Sequence, residues 1–152
     1  MSVSKPLRKQ GKLGVLDCIE RLTLYTINAC KSEQNFPKRD RWIMPNRILN
    51  EALDAMTCVA KANAIFPSAP NEADDWAERH RLQAKAYAHL EAMNKLIDIA
   101  YQVPSYTINA EHWEGLIITA EKKLQAWRKS DKERQKKALE AQDAEEKIPM
   151  PE

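Results

Sequence analysis

The chain has 152 residues and carries 24 Lys and Arg against 22 Asp and Glu, a formal net charge of +2. That length suits one domain around a single core, and its 3 glycines leave little from which to build the phosphate-cradling loops of nucleotide hydrolases. No run approaches the roughly 18–20 apolar residues that cross a bilayer, and Met1-Ser2-Val3-Ser4-Lys5-Pro6 leads into no apolar signal segment. The expectation is a soluble, cytoplasmic protein without a membrane partner.

Between its prolines the chain is dominated by Ala, Leu, Lys, Glu, Gln and Arg, the residues that enter helices at least cost. The reading is all-α: an up-and-down antiparallel four-helix bundle over residues 14–130. Residues 1–13 precede it as a basic arm, with Lys5, Arg8, Lys9 and Lys12 and no acid before Asp17. Leu16, Ile19, Leu22, Leu24, Ile27 and Cys30 recur at helical spacing, which predicts a first amphipathic helix from Gly14 to about Glu33. Pro37 disfavours the α conformation at Phe36 and marks residues 35–42 as a connection. Pro45 fits the first turn of the second helix.

That second helix has Ile48, Leu49, Ala52, Leu53, Met56, Val59, Ala60 and Asn63 on its inner stripe and is expected to stop near Phe66. Pro67 to Asp75 reads as an acidic surface loop. The third helix, from Ala73–Trp76 to about Tyr101, turns Leu82, Ala86, Leu90, Met93, Leu96, Ile97 and Ala100 inward, and Pro104 follows it. Asn109 is the expected N-cap of the fourth, whose inner positions are Trp113, Leu116, Ile117, Ala120, Leu124 and Trp127. Past Trp127 the apolar spacing is lost. Arg128 to Lys137 is net basic and Glu140 to Glu146 acidic, so residues 131–152 are expected as a charged tail outside the core, either running on as helix or fraying.

Little in the sequence suggests catalysis. His80 and His89 are nine residues apart on one helix, which puts them on opposite faces, and no H-E-x-x-H motif accompanies them or His112. Gly11, Gly14 and Gly115 form no nucleotide-binding pattern. The acid pairs Asp74-Asp75 and Glu145-Glu146 fall where charge is solvated. Cys18, Cys30 and Cys58 read as small buried hydrophobes of a reducing compartment. The expectation is a protein that is not an enzyme, with no metal and no cofactor.

The basic residues carry the functional reading. Lys38, Arg39 and Arg41 crowd into the first connection beside Phe36 and Trp42, and Arg47 comes next in the second helix. Guanidinium groups bind phosphate oxygens in pairs and aromatic rings stack on unpaired bases, so this mixture suits single-stranded or structured nucleic acid. Phe36 and Trp42 as core anchors under a solvated loop is the competing reading. Arg79, Arg81, Lys85 and Lys95 on the third helix are a second set of surface cations; on a lone helix they read equally well as an ordinary solvated face.

Phe36-Pro37-Lys38, then Arg41-Trp42 and Arg47-Ile48, resembles a four-helix-bundle family. The likeness continues through Ala62-Asn63, Lys95-Leu96-Ile97, Ala100-Tyr101 and Leu124 to Trp127-Arg128-Lys129-Ser130, covering roughly Leu16 to Ser130. That family includes the accessory variability determinant of diversity-generating retroelements and the intervening-sequence proteins of bacterial ribosomal RNA genes. The resemblance implies a homopentamer with a positively charged surface that binds a reverse transcriptase and its template RNA, and also DNA, in support of mutagenic complementary-DNA synthesis. Catalysis would then belong to the polymerase. By the same resemblance Lys38, Arg41 and Arg47, with Arg79, Arg81 and Lys85, become candidate contacts. The basic arm, the Pro67–Asp75 loop and the charged tail are longer than the family pattern. An intervening-sequence-type bundle or an interaction scaffold without a retroelement role are the alternatives.

Overall fold

In the computed structural model, which describes residues 14–147, every apolar stripe becomes a helix. The helices are α1 (Gly14–Lys31), α2 (Met44–Asn63), α3 (Glu72–Tyr101) and α4 (Ala110–Glu146), with a single 3-10 turn at Lys38–Asp40 between the first two. The expected basic arm and the last five residues lie outside the described range. α1 packs on α2, α2 on α3, α3 on α4 and α4 on α1, so the helices close a ring around one core. Short connections make each neighbour antiparallel: Arg79 at the start of α3 reaches the Ala62 and Ile65 carbonyls at the end of α2, and His89 meets Glu51 further along. None of the described helices is long and apolar enough to cross a membrane.

The helix ends obey local chemistry. Pro45 sits in the first turn of α2, where its missing N–H costs nothing. The Asn109 side chain accepts a bond of 3.1 Å from the His112 N–H and caps α4 as expected. α2 stops three residues earlier than anticipated, at Asn63, and Phe66 is left 79% exposed.

Ile19, Leu22, Ile48, Val59, Leu90, Met93, Ile97, Trp113, Ile117 and Leu124 are nearly inaccessible and form the core. The phase of α1 differs from the sequence expectation. Leu24 is 58% exposed, and Thr23 and Thr26 take inward positions instead. Their hydroxyls donate to the Ile19 and Leu22 carbonyls at 2.7 Å, which satisfies a donor that would otherwise be stranded in the core. Thr26 Oγ1 also accepts from the Trp113 indole N–H at 3.0 Å, so one polar pair fixes the register of α1 against α4. Ala60, expected on the inner stripe of α2, is exposed.

The charged segment after Trp127 takes the helical one of its two expected forms but does not lie wholly outside the core. α4 continues unbroken to Glu146, and Asp131 is 1% exposed. The core therefore extends past residue 130, where Arg79 and Gln83 of α3 bond to Asp131.

Candidate nucleic-acid interface

Phe36 and Trp42, alike in sequence, have opposite fates. Phe36 is 2% exposed and lies edge-on to Tyr106 and Trp113, with ring centroids 4.9 and 6.4 Å away. Its backbone N–H donates to the Ser32 carbonyl at 3.0 Å, and the Asn35 carbonyl accepts from the Thr107 N–H at 3.0 Å. Phe36 thus anchors the connection to the bundle, and Pro37 turns the chain into the 3-10 turn. Tyr106 braces that turn. Burial, and then its bond to the Asp40 carboxylate, push the Tyr106 phenol above its ordinary value.

Beyond this anchor the chain faces outward. Lys38, Arg39 and Arg41 are exposed, Trp42 is 72% exposed and Ile43 61%. The Arg41 guanidinium lies 5.4 Å from the centre of the Trp42 ring, a cation–π pair open to solvent. Arg47 is exposed within the first turns of α2. Among the described residues, Lys38, Arg41 and Arg47 are held by no ion pair, and Arg39 reaches Asp40 only at 3.9 Å. Beneath the corner a cleft of about 310 Å³ is lined by Cys30, Phe36, Lys38 and Arg41 among others. Cys30 supplies no nucleophile there: burial pushes its thiol up to about 12, and the S–H donates to the Pro45 carbonyl at 3.4 Å.

The set expected on the third helix is divided by the structure. Arg79 is a correction, since it is 3% exposed and its guanidinium is fully engaged. Its Nε and Nη2 grip both Asp131 oxygens at 2.7 and 3.1 Å, and its Nη1 donates to the Ile65 carbonyl at 2.8 Å. Trp76 and Trp127 flank it with ring centres at 5.9 and 5.0 Å. A cation so enclosed has no face left for a phosphate. Arg81 is exposed but bonded to Glu78 at 2.6 and 2.8 Å, and that bond holds the Glu78 carboxyl below its ordinary value. Lys85 and Lys95 are exposed. Because α3 runs antiparallel to α2, Arg81 and Lys85 flank the later half of α2, away from the Lys38 corner, and Lys95 lies nearer to it.

Sequence reasoning misses Asp131 and Gln83, and weighs His80 only as a metal ligand. Gln83 donates to Asp131 at 2.6 Å. His80 stacks on Trp76 with centroids 5.6 Å apart and meets Gln135 at 2.7 Å. Phase is the signal that could find Gln83 and Asp131: Arg79 falls on the stripe Trp76, Arg79, Gln83, Ala86, Leu90, and Asp131 continues Ile117, Ala120, Leu124, Trp127. One Arg and one Asp on two inward stripes call for each other. Of the other histidines, His89 pairs with Glu51 at 2.6 Å, and His112 lies edge-on to Tyr25. Among the described residues no three His, Cys, Asp or Glu gather as they would for a metal ion.

No protein-family model, curated protein or solved structure matches this chain.

Proposed function

We propose that the protein is a non-catalytic accessory subunit of a diversity-generating retroelement, binding RNA through the corner formed by Lys38, Arg39, Arg41, Trp42 and Arg47. The observation that carries the RNA-binding part is the exposed Arg41–Trp42 pair beside Lys38 and Arg47, three cations that no acid within the described residues neutralises. The indole offers a face for an unpaired base, and the cations neutralise the phosphates on either side. DNA presents the same chemistry and is a second ligand. Binding of this kind releases counterions, so affinity falls steeply with salt.

The retroelement role, the reverse-transcriptase partner and a cytoplasmic, pentameric assembly come from the family resemblance. In that role the bundle holds template RNA beside the polymerase and supplies no reacting group. The test is fluorescence anisotropy of a labelled structured RNA over a salt series, with light scattering on the same samples for mass. Salt-sensitive binding that weakens in Arg41→Ala and Trp42→Ala, and a five-fold mass, are the expected results. Salt-insensitive or absent RNA binding with an intact bundle would overturn the reading and leave a protein-interaction scaffold. Co-purification with a reverse transcriptase encoded alongside tests the partner separately.

A further inference from the structure

α1 begins at Gly14, where an added Cβ would lie 4.0 Å from the Lys123 side chain, so among the described residues α4 runs on beyond Lys123 without α1 beside it. Asp131, Gln135 and Gln142 tie that stretch to α3, through Arg79, His80 and Glu72. Next to this seam is a groove of about 250 Å³ with Pro70, Ala73 and Trp76 on one wall and Ala138, Leu139 and Gln142 on the other. Leu139 is 54% exposed at its edge.

The charges along this stretch are segregated. Residues 128–137 carry Arg128, Lys129, Lys132, Arg134, Lys136 and Lys137 against Asp131 and Glu133, whereas residues 140–146 carry Glu140, Asp143, Glu145 and Glu146 with no base. Acids at a C-terminal end oppose the helix dipole, and α4 has no base in its last turn. Lys147 at the C-cap is a single base against those four acids. Arg134 is engaged with Asp131, but among the described residues Lys132, Lys136, Asp143 and Glu146 are in no ion pair.

Lys132, Lys136, Leu139, Asp143 and Glu146 succeed one another at alternating steps of four and three residues and share an exposed face, beside the Gln135 and Gln142 that bond to α3. Turned end for end about Leu139, the stripe is complementary to itself. Lys132 then opposes Glu146, Lys136 comes beside Asp143, and Leu139 opposes Leu139. We propose that this stripe is a two-fold contact with a second copy of the chain, in which the two α4 extensions lie antiparallel. An isologous contact needs such self-complementarity. Leu139 on the axis supplies the apolar centre, and the charge pattern sets direction and register. The contact uses none of the Lys38 corner, stands independently of RNA binding, and in a ring of protomers would join one ring to another.

The test uses the full chain and light scattering at low salt, with circular dichroism to verify that the helices persist. One variant carries Lys132→Glu and Lys136→Glu, another Asp143→Lys and Glu146→Lys. Each alone sets like charges against each other across the axis, and its self-association should weaken about tenfold or more. An equimolar mixture of the two, and a chain carrying all four changes, should recover the wild-type mass because opposite charges meet again. Wild-type mass in either two-site variant, failure of the mixture to recover, or a monomeric wild type would overturn the contact. The last result would leave the groove to the arm or to another protein.

Discussion

At one end of the bundle Arg79 lies between two indoles with every nitrogen bonded; at the other, Arg41 lies against a single indole with its other face in water. Both are an Arg beside a Trp. The partner makes the difference: Asp131, delivered by the extension of α4, turns the first into an internal tie between α2, α3 and α4, and no acid performs that service for the second. A buried cation with complete bonding is structural, whereas an exposed one among unneutralised cations is available to a ligand.

Removing the partner should separate the two ends most sharply. Asp131→Ala strands the Arg79 charge and the Gln83 amide, and breaking a buried pair from one side costs about 3–5 kcal/mol. Urea and thermal melts should register that loss, while Arg41→Ala stays within about 0.5 kcal/mol of wild type. The double change Arg79→Met with Asp131→Leu should recover most of the stability, since a packed apolar pair carries no desolvation penalty. An Asp131→Ala protein that melts like wild type would mean that α4 is held by apolar packing alone.

The converse experiment reads binding. Arg41→Ala combined with Trp42→Ala removes a phosphate contact and a stacking face, the latter alone worth about 1–3 kcal/mol per base. RNA affinity should fall on the order of ten- to a hundredfold, and the salt slope should drop by about one. Arg81→Ala serves as the control, because Glu78 already occupies that guanidinium; anisotropy that changes equally in both would remove the distinction between corner and helix face.

How far such distinctions can be read from sequence depends on phase. The four helices, the Asn109 cap and the inward stripes of α3 and α4 are legible in the apolar spacing, and the exposed cations of the corner in their crowding beside prolines. Arg79 is misplaced when a charged residue is taken as a surface residue, although its register with Trp76 and Ala86 points inward. Thr26 loses to Leu24 on hydropathy because hydropathy weighs a residue without its partners, and Thr26 has two, the Leu22 carbonyl and the Trp113 indole. Which of Phe36 and Trp42 is the anchor depends on Tyr106 and Trp113, far along the chain, and no local pattern encodes that. Thr26→Val tests the role of those partners: it should cost about 1 kcal/mol by leaving the Trp113 N–H unpaired, whereas Leu24→Ser should be nearly neutral in the same melts.

The seam between the two ends is a third case, where like charges meet. One oxygen of Glu114 is buried without a donor, and its neighbour is the Asp98 carboxyl. The bond between them, then burial, push Glu114 from its ordinary 4.5 up to about 7. Burial, then Glu91, do the same to Glu121, also to about 7. Two carboxyl groups can bond only while one keeps a proton, so the folded protein holds protons that the unfolded chain releases near 4.5. Between those values the folded state binds more protons, and stability is fully present below about 4.5 and declines as pH rises through about 7. Partial exposure keeps the effect small. Glu114→Gln together with Glu121→Gln should flatten the fall in melting temperature across that interval and leave the variant more stable than wild type at about pH 8. An unchanged slope would mean that water screens the pairs as thoroughly as it screens Arg81 and Glu78, and that only the Arg79 end holds charge out of solvent.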